Sequence, residues 1–142
     1  TMDGANIEIV EQAGRENNYI FGADVEEIKA LSRGKYDPNA ILKSDDAAKK
    51  AVNTLTDGTF DDGGRGYFKE LYDSLTVGAS WHKPDHYFIL RDLPDYVETL
   101  LRINKEAGTK EFTQKQFFNA ASSAYFSSDR SVSEYAEKIW EL

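Results

Sequence analysis

Tyr19-Ile20-Phe21-Gly22 is the only stretch of this chain that reads convincingly as a β-strand. Two aromatics and an isoleucine suit a pleated, half-buried surface, and Asn18 and Gly22 flank them as turn residues. The rest reads as helices almost throughout. A lone strand cannot pair with itself, so its partners must lie in another copy or in further chain. The expected fold class is mostly α with one or few short strands. The strand itself is a physical reason to expect a piece of a larger protein.

Working outward, Asp3-Gly4-Ala5-Asn6 reads as a turn into a helix. Ala5, Ile9 and Ala13 recur at four residues with Val10 beside them, and Gly14 is a stop. Beyond the strand, Asp24 is placed to cap a second helix, with Glu27 three residues on in capping-box spacing. Val25, Ile28 and Leu31 form its stripe and Gly34 ends it. Asp37-Pro38 opens a short third helix, since Pro suits the first helical position. Ser44 is the expected cap of a fourth, with Ala48, Ala51, Val52 and Leu55 facing inward and Gly58 at its end. Asp57 to Gly66, with four glycines and three aspartates, is the main irregular stretch.

Phe68, Leu71, Tyr72 and Leu75 mark a fifth helix. A loop containing Pro84 follows, and Tyr87-Phe88-Ile89 is ambiguous between strand and extended packing. Asp92 is the expected cap of a longer helix with Pro94 in its first turn. Leu93, Tyr96, Val97, Leu100 and Leu101 form its expected buried face, and Gly108 ends it. Phe112, Phe117, Ala120 and Ala121 belong to the next helix. Ser128 or Asp129 is expected to cap the last one, where Val132, Tyr135, Ala136, Ile139 and Trp140 make a wide apolar face. No linker divides the chain and no repeat of fixed period appears.

The 142 residues suffice for one domain of ordinary size. Apolar residues at 40% and aromatics at 13% argue for a packed globular chain rather than disorder. The net charge of −8 disfavours nonspecific binding to nucleic acid or anionic membrane, because both repel an acidic surface. There is no cysteine, which excludes disulfides, thiolate nucleophiles and cysteine-ligated zinc. A reducing, cytoplasmic compartment is compatible with that and is the expected location. No apolar run has the length of a membrane span. The opening at Thr1, with neither initiator Met nor leader, is expected to be a cut end.

No residue set makes a self-contained active site. Gly63-Gly64-Arg65-Gly66 does not follow a strand and lacks the Lys-Ser/Thr ending of a phosphate loop. His82 and His86 have a two-ligand helical spacing, but Pro84 lies between them and only Asp85 is near as a third ligand. Asp45-Asp46 and Asp61-Asp62 lack the twelve-residue calcium-loop pattern. Ser127-Ser128-Asp129-Arg130 could contact a phosphate or carboxylate, but reads better as a helix cap with Arg130 paired to a neighbouring acid or carbonyl. Thr1 to Asn6 could support a ligand site at a strand end, but reads better as a capped turn with Gly4 for close approach. The aromatics, Tyr19, Phe21, Trp81 and Trp140 among them, could include sugar-stacking residues, but core or interface packing is the default.

Two segments are more specific. Thr1-Met2-Asp3-Gly4-Ala5-Asn6-Ile7-Glu8, followed by the strand Tyr19–Gly22, and Tyr125 to Trp140 (YFSSDRSVSEYAEKIW) together resemble the α-1,4-glucan phosphorylases of glycogen, starch and maltodextrin. That family has a TMDGANVE-like segment leading into a helix and an FIFG-like strand, and an FSSDRTIxxYAxxIW-like end. Order and separation also agree, although Asn53 to Thr109 matches only in helix pattern.

The resemblance implies an enzyme of two Rossmann-like domains, of the GT-B type, facing a cleft. Residues 1–142 would be the C-terminal portion of the second, cofactor-binding domain. Such enzymes cleave terminal α-1,4-glucosyl units with inorganic phosphate to give glucose 1-phosphate. They use pyridoxal 5′-phosphate, held as a Schiff base on a lysine shortly before the TMDGAN-type segment. By that resemblance the cofactor lysine is expected upstream of Thr1, and Lys29, past the strand, is no substitute. Catalytic, cofactor-binding and metal-binding residues are therefore all expected to be none in this chain, and no cofactor is expected on it. The implied partners are glucan, phosphate, the rest of the phosphorylase chain and a second copy in a homodimer. The final helix would pack on the other domain. The rival readings are a free-standing acidic helical interaction module and an unrelated small enzyme.

Overall fold

The structure is a computed structural model that describes residues 4–142. Thr1, Met2 and Asp3, the first half of the TMDGAN segment, lie outside the described residues. Eight α-helices occur among those that are described: α1 (Ala5–Ala13), α2 (Val25–Arg33), α3 (Pro38–Ser44), α4 (Asp46–Asn53), α5 (Tyr67–Thr76), α6 (Ile89–Glu106), α7 (Lys110–Ser122) and α8 (Ser128–Lys138). Short 3₁₀ turns span Arg15–Asn17 and Ser123–Phe126. Two compact units share them. One takes the residues up to Ile20 together with Thr99–Leu142, and the other is Phe21–Glu98. Helix α6 runs from the second into the first.

The mostly helical expectation holds, but the strand does not form. Tyr19–Gly22 has no ladder partner, and the sole β feature among the described residues is one bridge between Ala79 and His82. A strand is defined by its neighbour, and no second extended run exists among these residues to supply one.

Local chemistry explains most helix boundaries. In α2 the Asp24 side chain accepts from the Glu27 backbone N–H, and Glu27 returns to the Asp24 N–H, completing the expected capping box. Asp37 caps α3 through the Asn39 N–H, with Pro38 at the first position. Gly14 ends α1 at φ 86°, a conformation glycine adopts without penalty. Gly108 follows α6 at φ 83° in the same way.

Three expected caps are displaced. Asp45, not Ser44, caps α4, accepting from both Ala47 and Ala48. Ser44 is the last residue of α3, and its hydroxyl turns back to the Ala40 and Ile41 carbonyls. The fourth helix also stops at Asn53, so of its expected inward residues only Ala48 and Val52 are buried. Ser127, not Ser128 or Asp129, caps α8, its hydroxyl accepting from the Arg130 N–H. Helix α6 begins at Ile89 rather than after Asp92, so Tyr87-Phe88-Ile89 is a turn into a helix and Pro94 lies inside it.

Burial is sparse. In the second unit the buried hydrophobic side chains are Ala23, Ala48, Val52 and Leu90, and in the first they are Val10 and Ala13. The expected buried face of α6 is largely open, with Tyr96, Val97, Leu100 and Leu101 all exposed. The apolar face of α8 is open too, with Val132, Tyr135, Ile139 and Trp140 each more than half exposed. Trp140 lies past the helix end, its ring 6.1 Å from that of Tyr135.

Candidate functional site

Asp85 is the deepest polar group, only 2% exposed. A buried carboxylate needs hydrogen-bond donors, and it has three. The Tyr36 hydroxyl donates to one oxygen at 2.6 Å, Leu90 N–H to the same oxygen at 2.8 Å, and Ile89 N–H to the other at 2.8 Å. Asp85 is therefore the residue that caps α6, answering two of the orphan amides of its first turn. It adopts φ 45°, and Phe88 three residues on φ 57°, both unusual for side-chain-bearing residues. Burial first, and then the Asp85 carboxylate, hold the Tyr36 phenol far above its ordinary range, so it stays a neutral donor.

Above this cap lies a cleft of about 540 Å³, walled by Tyr36, Pro38, Trp81, His82, His86 and Phe88 among others. The His82 and His86 rings stand 5.7 Å apart, centroid to centroid. They gain no third ligand from Asp85, whose oxygens are engaged in the α6 cap. The His82 Nδ1–H is directed to the Lys83 carbonyl at 2.7 Å. No group of three metal-binding side chains forms among the described residues.

Asp92, expected as a cap, instead accepts from the Ala23 N–H at 2.9 Å and from Arg91. Arg91 also pairs with Asp95 at 2.7 Å and Glu27 at 3.3 Å, joining α2 to the start of α6.

In the first unit the Tyr19 hydroxyl donates to Glu106 at 2.5 Å, and Lys115 donates to the same carboxylate at 2.8 Å. Lys115, and after it Tyr19, hold the Glu106 carboxyl below its usual range. Lys115 also lies 4.6 Å from the Tyr19 ring centroid, and the Arg102 guanidinium 5.3 Å. Asn119 fixes the neighbouring turn by donating to the Asn17 carbonyl at 2.8 Å.

The remaining sequence candidates resolve locally. Asp62 accepts from the Gly64, Arg65 and Phe68 N–H groups, so the amides a phosphate loop would offer already hold a carboxylate. Arg130 donates to the Tyr125 carbonyl, pairs with Glu134 and lies 3.9 Å over the Tyr125 ring, as expected of a structural cap. Gly4 adopts φ 52°, a conformation that favours glycine, and among the described residues an added side chain would meet nothing within 4 Å. Sequence reasoning missed the partnerships of Asp85 with Tyr36 and of Glu106 with Tyr19. The Pro84-Asp85 pair ahead of an apolar run was the available signal for the first. Nothing local signals the second.

These sites hold the helices in place. What they belong to follows from likeness along the chain. The family model for carbohydrate phosphorylases matches residues 1–142. The chain belongs to the carbohydrate phosphorylase family. Among its phosphorylase relatives, the glycogen phosphorylase of Chlamydia trachomatis is 34% identical over 100% of the chain, which covers 17% of that protein. The brain form of glycogen phosphorylase from Homo sapiens is 35% identical over 99% of the chain, covering 16% of its own length. The α-1,4 glucan phosphorylase L-2 isozyme of Solanum tuberosum is 32% identical over the whole chain, covering 14% of its own length. This phosphorylase chain thus spans about a sixth of the length of the curated relatives it matches.

Proposed function

We propose that these residues act as one part of an α-1,4-glucan phosphorylase, which passes the terminal glucosyl unit of a glucan to inorganic phosphate and releases glucose 1-phosphate. The observation that carries this is the family match across every residue, including the middle stretch whose motifs are loose. We place the chain in the C-terminal portion of the second, Rossmann-like domain of a GT-B architecture. Tyr19–Gly22 would then be a strand of that domain's sheet, and the open face of α8 would lie against the other domain. A homodimer in the cytoplasm completes the reading. No helix of the described residues is long and apolar enough to cross a membrane.

The family's cofactor, pyridoxal 5′-phosphate, needs an enclosed amine and an anion cradle. The described residues do not fit it. Lys115 is the lysine best enclosed, and its ammonium is committed to Glu106 and Tyr19. The Glu106 hydrogen bond, set against desolvation, holds it above its ordinary range and so protonated. The other lysines are exposed. We therefore assign the cofactor amine, and the groups that handle phosphate in catalysis, to parts of the enzyme other than these residues, and derive no catalytic step from this chain. A free-standing helical interaction module is the weaker reading, because it gives no reason for likeness along the whole chain.

The test is phosphorolysis. The full protein, loaded with pyridoxal 5′-phosphate, should release glucose 1-phosphate from a maltooligosaccharide only when inorganic phosphate is present. The isolated 142 residues should release none and should show no cofactor absorbance. Absence of turnover by the loaded full protein on every α-1,4-glucan tried would reject the reading.

A further inference from the structure

We propose that the polar cleft lined by Arg15, Arg102 and Lys115 is a binding site for a phosphate-type oxyanion. All of its walls belong to the first unit: these three cations with Glu16, Asn18 and Ile20. Its volume is about 230 Å³. That is below the roughly 300–1,000 Å³ of sites for drug-sized ligands, so the cleft suits a single phosphate group or a small phosphate ester.

Charge decides the ligand class. The chain is acidic overall, at −8, and its two half-buried arginines are both matched. Arg91 pairs with three carboxylates and Arg130 with Glu134. Among the described residues Arg15, Arg33, Arg65 and Arg102 have no such partner within 4 Å, and of these Arg15 and Arg102 face the same cleft. Glu106 neutralises Lys115, and Glu16 at the exposed rim opposes one arginine, which leaves the surroundings net positive. A guanidinium presents paired N–H groups at the spacing of two phosphate oxygens, and two guanidinium groups give a phosphate more than a point charge would.

The framework is also held before any ligand arrives. The Tyr19 ring carries Lys115 and Arg102 near it, and Tyr19 is itself tied to Glu106. The Asn18 side chain, at the cleft wall, is fixed to the Gly14 carbonyl at 2.7 Å, next to Arg15. Less side-chain freedom is then lost at Lys115 and Asn18 on binding. The phosphate could be inorganic or the headgroup of a sugar phosphate, and the chemistry that recognises it is the same.

Arginine modification in the full protein tests this without using turnover, so it stands apart from the glucan reading. Phenylglyoxal would be applied in chloride, in inorganic phosphate and in glucose 1-phosphate at equal ionic strength, with modified sites read by peptide mass spectrometry. Arg15 and Arg102 should react in chloride and be protected about threefold or more once a phosphate ligand exceeds about twice its dissociation constant. Exposed Arg33 and Arg65, outside the cleft, should not be protected. Protection by one ligand or by both supports the site and names its source. In Arg102→Gln, protection of Arg15 should disappear. Protection by neither ligand, equal protection at Arg33 and Arg65, undiminished protection of Arg15 in Arg102→Gln, or no reaction of Arg15 and Arg102 in chloride would each overturn it.

Discussion

Tyr36 gives its phenolic hydrogen to the carboxylate of Asp85 across 2.6 Å, forty-nine residues along the chain. That contact joins the turn before α3 to the cap of α6, because the same carboxylate also holds the Ile89 and Leu90 amides. Replacing Asp85 by Ala would leave one hydroxyl and two amides unanswered, one of them at fully buried Leu90. The expected loss is about 2–4 kcal/mol, since each stranded group carries its own desolvation penalty. Tyr36→Phe removes a single charge-assisted bond and should cost about 1.5–3 kcal/mol. Urea unfolding of both variants checks the order. A Tyr36→Phe loss equal to or larger than that of Asp85→Ala would refute the assignment of Asp85 as the shared acceptor.

The same pair has a pH signature. Burial and then the Asp85 carboxylate raise the Tyr36 phenol above its ordinary value in the folded chain. A group whose folded value is raised contributes stability that is complete below the unfolded value and is lost as pH climbs toward the folded one. Wild type should therefore weaken more than Tyr36→Phe above about pH 10, with no difference between their slopes at neutral pH. Unfolding midpoints measured from pH 7 to pH 11 would show it.

Glu106 behaves in the opposite sense. The Lys115 ammonium and then the Tyr19 hydroxyl hold its carboxyl below its ordinary value. The stability this adds is present above that value and is lost as pH falls toward the depressed one. Glu106→Gln should flatten the acid limb of the stability curve and lower stability at pH 7. An acid limb unchanged by the substitution would show that the contact is solvent-screened and contributes little.

What the sequence revealed depended on range. The Asp24–Glu27 capping box and the Asp37-Pro38 helix start are local chemistry within four residues, and both were legible. Asp85 was not, because its role is set by Tyr36 in a distant turn, and nearby Asp92 offered an equally good local pattern. The stripe Tyr96, Val97, Leu100, Leu101 reads as a buried face of α6, yet all four are exposed among the described residues, because apolar spacing does not say what covers a face. Tyr19–Gly22 pairs with nothing among the described residues for the same reason: propensity is local and pairing is not. The segments Thr1–Glu8 and Tyr125–Trp140 carried the family, whereas Asn53 to Thr109 carried only a helix pattern. No catalytic arrangement was legible, and the polar centres now visible at Asp85 and Glu106 serve packing.

Sparse burial makes core substitutions sharply uneven. Leu90 is 1% exposed, so Leu90→Ala removes packed methyl groups and leaves a cavity, at a cost of about 2–5 kcal/mol. Val132, on the open face of α8, is 60% exposed, and Val132→Ala should stay within about 0.5 kcal/mol in the isolated chain. In the full protein the proposed docking of α8 reverses the second expectation: Val132→Ala should then destabilise measurably. Comparing the two variants in both contexts by urea unfolding separates a face that is covered from one that is not.

Gly78 offers the strictest test of backbone geometry. It adopts φ 93°, and an added Cβ would meet the His82 carbonyl oxygen at 2.7 Å and the Pro84 nitrogen at 2.9 Å. Neither atom is the tip of a flexible side chain, so relief requires movement of the turn that carries Trp81, His82 and Asp85. Gly64 also has positive φ, at 75°, but has open space where its Cβ would go. Gly64→Ala should therefore show only the left-handed penalty of about 1–2 kcal/mol. Gly78→Ala should exceed it, because steric overlap adds to the dihedral cost and loosens the α6 cap. Thermal unfolding of the two variants decides between them. Equal losses would mean that the turn after α5 yields freely and that Asp85 is not held by it.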